Sequence, residues 1–313
     1  MKIFDMHADI GTNLYERHLN GEKDVFKNYH INNLTKGDVK GVFTACYFSG
    51  TQDWTYMQEM IKNCNREINE NLESLRQVKD KNDLVEDDKI LTCISVEGMC
   101  GVSGNVEEEI EWMYQNNVRV ASLVWNESNH LADGWPNNPL RGLSEEGFRV
   151  VKKMNELNMI IDVSHINEKG FWDIISTSSK PVIATHSNAR NVCSHDRNLT
   201  NQQIKAIADK GGLIGLNSCG DFIDKERKNQ TAYNLAKHAR YMADMVGVEH
   251  VACGFDYMDF LIGYGNNDDN AIDLHDASMT QNLIEGLKEC GFSEEEIEKI
   301  AFYNVYNFLK EQL

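Results

Sequence analysis

Five short apolar runs in this chain end in, or lead straight into, a histidine or a carboxylate. Ile3 to Asp9 carries His7 and Asp9, and Ile90 to Glu97 ends in Glu97. Met159 to His165, Pro181 to His186 and His250 to Asp256 each end in the last residue named. All five read as buried strands. Three more runs of the same character, Gly41 to Tyr47, Val118 to Trp125 and Gly211 to Asn217, bring the total to eight. Helical periodicity fills most gaps between them, over Tyr56 to Val78, Val106 to Tyr114, Leu143 to Leu157, Thr200 to Asp209, Thr231 to Val246 and Ser293 to Leu309. Near-continuous apolar strands alternating with amphipathic helices predict a parallel sheet covered on its outer face, and eight such units in 313 residues predict a (β/α)8 TIM barrel. With even strand spacing and no Pro/Ser-rich linker, one domain over residues 1–313 is expected. Such a barrel carries its site at the C-terminal ends of its strands, where these polar residues lie. A doubly wound open sheet is the alternative, but it would scatter the five strands too widely for one centre.

Composition narrows the partners. Hydrophobic residues at 41% and charged residues at 26% describe an ordinary globular chain. A net charge of −18 opposes nucleic acid and anionic membrane surfaces, because a phosphate backbone must be neutralised by Lys and Arg. The acidic triplets at Glu107 and Glu294 fall where helices begin, with Ser293 and Glu296 spaced as a capping box. Eight cysteines are too sparse for a disulfide scaffold, and no CxxC pair suggests structural zinc. With a first strand beginning at residue 3 and no apolar stretch of spanning length, a cytoplasmic location is expected.

The polar strand ends have metal-site chemistry. His7 and Asp9, two apart on a strand, project to one face and can grip one ion. Asp5 lies deeper on that face and needs a partner such as a ligand's imidazole. Gly98 lets the backbone turn sharply after Glu97, whose two oxygens can bridge two cations, and His165 with His186 supply nitrogen ligands to the second. Asp256 then remains free as the proton carrier of metal-assisted hydrolysis. Any one of these residues has a plain reading as a solvated strand end or a satisfied core histidine, but five coincident positions do not. No GxSxG elbow, Cys/His arrangement, GxGxxG or Walker A sequence offers a competing chemistry. The other histidines, at positions 18, 30, 130, 195, 238, 250 and 275, are assigned no site role, His130 being the least settled because it follows the fourth run. The Gly-, Asn- and Asp-rich stretch 263–273 is expected to form a mobile flap over the mouth.

These residues resemble the zinc-dependent membrane (renal) dipeptidase family of metallopeptidases, over nearly the whole chain. The resemblance is carried by Asp5-Met6-His7-Ala8-Asp9, by Ser95-Val96-Glu97-Gly98, and by the span from Gly142-Leu143-Ser144 through Ile161-Asp162-Val163-Ser164-His165 and Ala184-Thr185-His186-Ser187-Asn188-Ala189-Arg190 to Arg197-Asn198-Leu199. It implies two Zn²⁺ per chain, one on His7 and Asp9 and one on His165 and His186, with Glu97 bridging. A hydroxide between the ions would attack the peptide bond of a dipeptide, Asp256 would move the proton, and Arg197 would hold the substrate's carboxylate as a planar, always-charged fork. Where the family shows an oxyanion-contacting histidine this chain has Trp125, so Asn126, Asn129 or His130 is expected to take that place, or the zinc alone suffices; Asn126 is the choice for substrate binding. The run Phe255-Asp256-Tyr257-Met258-Asp259 also departs from the family's usual Asp-Phe-Asp-Gly, which implies a different pocket shape. Small dipeptides are the expected partners, with a homodimer left open as the assembly. The alternatives are another amidohydrolase-like metal hydrolase acting on lactones, cyclic amides or phosphoesters, and a non-catalytic metal- or peptide-binding barrel.

Overall fold

A computed structural model describes residues 1–138, 140–261 and 269–313, so most of the expected flap lies outside the described residues. The described residues form nine strands: β1 Ile3–Ala8, β2 Val39–Tyr47, β3 Leu75–Gln77, β4 Ile90–Glu97, β5 Val118–Ser122, β6 Ile160–Asp162, β7 Val182–Ile183, β8 Ile214–Leu216 and β9 Val251–Cys253. Eight of them follow one another as parallel neighbours in the order β7-β6-β5-β4-β2-β1-β9-β8. A parallel bridge between Ala184 and Ile214 joins the two ends of that series, giving a nearly closed (β/α)8 barrel. Its strands correspond to the eight apolar runs.

β3 was not expected. The helix predicted over Tyr56 to Val78 stops at Glu70, and Leu75–Gln77 pairs instead with the first half of β4. That edge is open because β5 pairs with β4 only from Ile94 onward, so three residues of β3 satisfy backbone groups that would otherwise be stranded. The C-terminal helix is likewise interrupted: a short helix Glu294–Glu298, capped reciprocally by Ser293 and Glu296, runs through a wider turn over Lys299–Tyr303 into Asn304–Gln312. At that junction the Asn304 side-chain amide donates to the carbonyls of Val248 and Val251, which fastens the segment beneath β9.

Two apolar layers result. Between strands and helices lies a continuous outer layer that includes Ile94, Met113, Val150, Ile204 and Leu235. Inside the barrel, Phe4, Phe43, Leu91 and Ile160 pack with Phe302, Val305 and Leu309 of the C-terminal segment, the Phe4 ring lying 5.7 Å from Phe43 and 5.9 Å from Phe302. Each such side chain contributes about 1.5–3 kcal/mol on burial. The C-terminal segment therefore stops one end of the barrel with apolar rings, and the polar strand ends line the other.

Two buried histidines act as neutral struts. His238 accepts from the Ala189 amide at Nδ1 and donates from Nε2 to the Ile223 carbonyl, and burial pushes its imidazole down to about 4. His30 donates from Nε2 to Asn13 Oδ1, and burial, with the Arg17 charge nearby, pushes it down to about 3. An unfolded chain protonates these rings below 6.5 while the folded one does not. Stability is therefore full above that pH and falls as pH drops toward 4, by up to ~1.4 kcal/mol per pH unit for each ring. Urea denaturation of the parent and of His238→Gln over this window should show a shallower pH slope in the variant; equal slopes would remove the strut from the account of acid sensitivity.

Candidate metal centre

The barrel brings the end-of-strand residues to one mouth. His7 lies within β1, and Asp9 follows it at the junction with the helix Ile10–Leu19; the pairing of β1 with β2 slips between Asp5 and Ala8, so simple strand alternation does not carry through to Asp9. Glu97 is the last residue of β4. Gly98 then adopts φ +84°, and a Cβ there would stand 2.9 Å from the Phe48 carbonyl oxygen, so both conformation and space require glycine. His165, His186 and Asp256 each follow a strand by three residues, after β6, β7 and β9. Asp256 takes φ +63°, a left-handed conformation that aspartate tolerates better than most residues and that turns its carboxylate inward.

Glu97 is at the centre. Its Oε1 lies 2.7 Å from His165 Nε2 and 3.5 Å from His186 Nε2, and its Oε2 lies 3.5 Å from His7 Nε2. On the far side, His7 Nε2 is 3.9 Å from Asp9 Oδ1 and 3.7 Å from Asp256 Oδ1. Two sets able to hold an ion follow, Glu97 with His165 and His186, and His7 with Asp9 and Asp256. His7 Nε2 and Asp9 Oδ1 are buried and have no hydrogen-bond partner among the described residues, a costly state for polar atoms that a bound cation would relieve. His165 and His186 face each other Nε2 to Nε2 at 2.8 Å, which two neutral rings can sustain only around a shared cation or proton. The donor set fits zinc-type ions: imidazole and carboxylate, with one carboxylate placed between the two groups.

A third ligand-like group, His7 with Asp162 and His186, is already filled by a hydroxyl. Thr185 Oγ1 donates to Asp162 Oδ2 at 2.6 Å, accepts from His186 Nδ1 at 2.8 Å and lies 3.4 Å from His7 Nδ1. This assignment puts the His186 proton on Nδ1 and bares Nε2 toward Glu97. Asn126 does the same for His165, with Oδ1 2.9 Å from Nδ1. The Thr185 carbonyl is held as tightly: a Cβ on Gly254 would stand 1.7 Å from it. Asp5 orients the site differently from expectation, because its Oδ1 accepts from the backbone amides of Phe255 and His7 rather than from an imidazole ring.

Charge is concentrated here. Burial works against an imidazolium at His7, but Glu97, Asp256 and Asp9 around it raise its pKa to about 10. Burial also pushes up a carboxyl at Glu97, yet the imidazoles of His7 and His165 hold it well below the usual range; of the two, His7 is the charged one, because burial and the adjacent Arg197 hold His165 low. Burial and the neighbouring Glu97 push Asp9 well above its ordinary value. Burial raises Asp5 to about 7. Metal ions entering such a cluster would displace protons.

A cavity of about 280 Å³ opens above these residues, just below the roughly 300–1,000 Å³ usual for ligand sites. Arg197 lies in its wall, buried, with Nη2 3.0 Å from His165 Nε2 and Nη1 donating to the Ser164 carbonyl. Trp125 lines it too, edge-on to Tyr47 with ring centroids 5.0 Å apart. Of the three residues weighed in place of the family histidine, Asn126 lines the cavity. Asn129 instead closes its own loop, accepting from Leu131 and Ala132 and donating to Leu123, and His130 is exposed. Asn217 donates to Asp256 Oδ2 at 3.0 Å and so fixes its carboxylate. Asp162 and Thr185 fall inside the motifs that carry the resemblance but have no role readable from sequence, and Asn217 carries no signal beyond polarity at a strand end. His195, given no role from sequence, stands in the cavity wall.

Known proteins share this architecture. The family model described as Membrane dipeptidase (Peptidase family M19) matches residues 1–312. A Klebsiella pneumoniae protein described only by its place in the pqqA 5' region is 33% identical over 234 residues, 72% of this chain and 83% of that protein. Dipeptidase tcpJ of Claviceps purpurea is 24% identical over 92% of this chain and 70% of its own length. Among solved structures, a metallo peptidase from Rhodobacter sphaeroides, liganded with a phosphinate mimic of the dipeptide L-Ala-D-Ala, has a TM-score of 0.86 at 22% identity, covering 100% of this chain and 99% of its own. An organophosphorus hydrolase variant from Deinococcus radiodurans has a TM-score of 0.55 at 9% identity, covering 98% of this chain and 92% of its own, a likeness of fold alone. The match over the whole chain, joined to a nearly closed barrel with its ligand-type residues at one mouth, means that this chain belongs to the membrane dipeptidase family, peptidase family M19.

Proposed function

We propose that the protein is a dipeptidase holding two zinc ions, with Glu97 as the shared ligand. The observation that carries this reading is the meeting of two ligand sets on one buried carboxylate, next to an arginine. Held by these residues, such ions would supply an activated water as nucleophile and a Lewis acid for the carbonyl oxygen. The chain's own groups do the rest. Asp256 faces the His7 side of the site, its carboxylate steered by Asn217, and is placed to carry a proton to the leaving amine. Arg197 offers a planar fork for a terminal carboxylate, which sets the length of substrate. Asn126 orients His165 from the cavity wall, and Thr185 holds His7 and His186. An L-Ala-D-Ala mimic bound to the Rhodobacter sphaeroides neighbour supports a dipeptide as the substrate. Lactone or cyclic-amide hydrolysis has no comparable use for the arginine, and phosphoester cleavage without peptidase activity would overturn the reading.

Metal content measured beside hydrolysis of a dipeptide panel tests this reading. Close to two zinc-type ions per chain are expected; full activity with one would overturn the binuclear centre. Thr185→Val should weaken metal retention against a chelator by about 10–100-fold while Thr185→Ser keeps most of it, and unchanged retention in the valine variant would remove Thr185 from the site's support. Asp256→Asn should keep both ions and lower kcat by roughly a hundredfold or more. Loss of metal together with activity would make Asp256 a ligand instead. Arg197→Ala should reduce kcat/KM on dipeptides by about 2–4 kcal/mol, and dipeptide amides should be poor substrates for the parent and nearly indifferent to the substitution. Amides cleaved as well as free acids by the parent would defeat the carboxylate clamp.

A further inference from the structure

The wall around Arg197 is aromatic. Arg197 Cζ lies 5.7 Å from the Phe222 ring centroid, the Phe222 ring lies 4.4 Å from that of His195, and His195 lies 5.8 Å from Trp135. All four residues line the same cavity. The Arg197 backbone amide donates to His195 Nδ1 at 3.2 Å, which places the ring's proton on Nε2 and makes this face of His195 a neutral imidazole. Burial and the Arg197 charge hold that imidazole below its ordinary value, in the same sense. The cavity's carboxylates, Asp9, Glu97 and Asp256, belong to the metal side.

We propose that the site selects dipeptides whose C-terminal residue carries an aromatic or branched apolar side chain, with Phe222, His195 and Trp135 as the specificity-determining wall. This rests on the reading that Arg197 holds the terminal carboxylate. Carboxylate and side chain leave the same Cα, so their first carbons are only about 2.5 Å apart, and a carboxylate held on Arg197 must set its side chain against whatever surrounds the guanidinium. What surrounds it is ring surface. An apolar side chain there exchanges water for aromatic contact, whereas a charged one loses hydration against ring surface. Arg197 already donates to the Ser164 carbonyl and spends its outward face on the terminal carboxylate, so a second carboxylate on the substrate would find little left to bind.

The metal-replete enzyme should be assayed on Ala-Gly, Ala-Leu, Ala-Phe, Ala-Asp and Ala-Lys, each with the C-terminal residue in both configurations. In the accepted configuration, kcat/KM for Ala-Phe and Ala-Leu should exceed that for Ala-Gly, Ala-Asp and Ala-Lys by about tenfold or more, the difference appearing mainly in KM. Phe222→Ala should bring Ala-Phe close to the Ala-Gly value, and Phe222→Leu should keep most of the preference. Cleavage of Ala-Asp or Ala-Lys as well as Ala-Phe overturns the proposal and leaves the dipeptidase reading standing. So does an equal loss on Ala-Gly and Ala-Phe in Phe222→Ala, which would mean a general structural role. Failure to cleave any of the dipeptides overturns both.

Discussion

Glu97 places a carboxylate that is only 4% exposed within 2.7–3.5 Å of three imidazole nitrogens, and a charge buried in that way persists only where its surroundings answer it. The answer comes from β1, from the loops after β6 and β7 and, one step further out, from Asp256 after β9. None of these groups could converge on one carboxylate if the strands lay in an open sheet. Barrel closure and the charge balance of the mouth are thus one constraint seen twice, once in backbone pairing and once in side-chain electrostatics.

Around that centre the protein invests buried hydrogen bonds in keeping ring nitrogens bare. Thr185, itself held by Asp162, and Asn126 contact the outer nitrogens of His186 and His165, leaving the inner nitrogens of those two rings without protons. Asn217 does the corresponding work for Asp256, and Asp5 ties the backbone of β1 to that of Phe255. Such a layer makes the geometry of the mouth insensitive to side-chain entropy, because each ring has one orientation that satisfies both of its edges.

Much of this was legible before any coordinates. Apolar runs with period-appropriate gaps gave the barrel, and histidines and carboxylates are rare enough at buried strand ends that five in register pointed to one centre. Arg197 was legible only through family resemblance, since its place depends on how the loop after β7 folds back, which periodicity cannot tell. β3 escaped notice because three residues with a polar pair, Arg76 and Gln77, continue a helical pattern as readily as they make a strand; the open edge of β4 decides the matter. Thr185 and Asn217 are ordinary polar residues in sequence, and their partners are fixed by tertiary placement. His195 carries no signal in sequence for the same reason, being a loop residue whose ring neighbour Phe222 lies on another element.

The amide of Asp256, near the end of the chain, donates to the carbonyl of His7, near its beginning, and the C-terminal rings stop the barrel from below. Contacts of such sequence separation form late and slowly in folding, because the whole intervening chain must be ordered first. The metal mouth therefore cannot exist in a partly synthesised or partly folded chain. Any ion that binds there binds a closed barrel, and by mass action each bound ion adds RT ln(1 + [L]/Kd) to the free energy that holds the first and last strands together. Loading of the mouth and closure of the barrel are thereby linked, since whatever holds the mouth also holds β1 against β9.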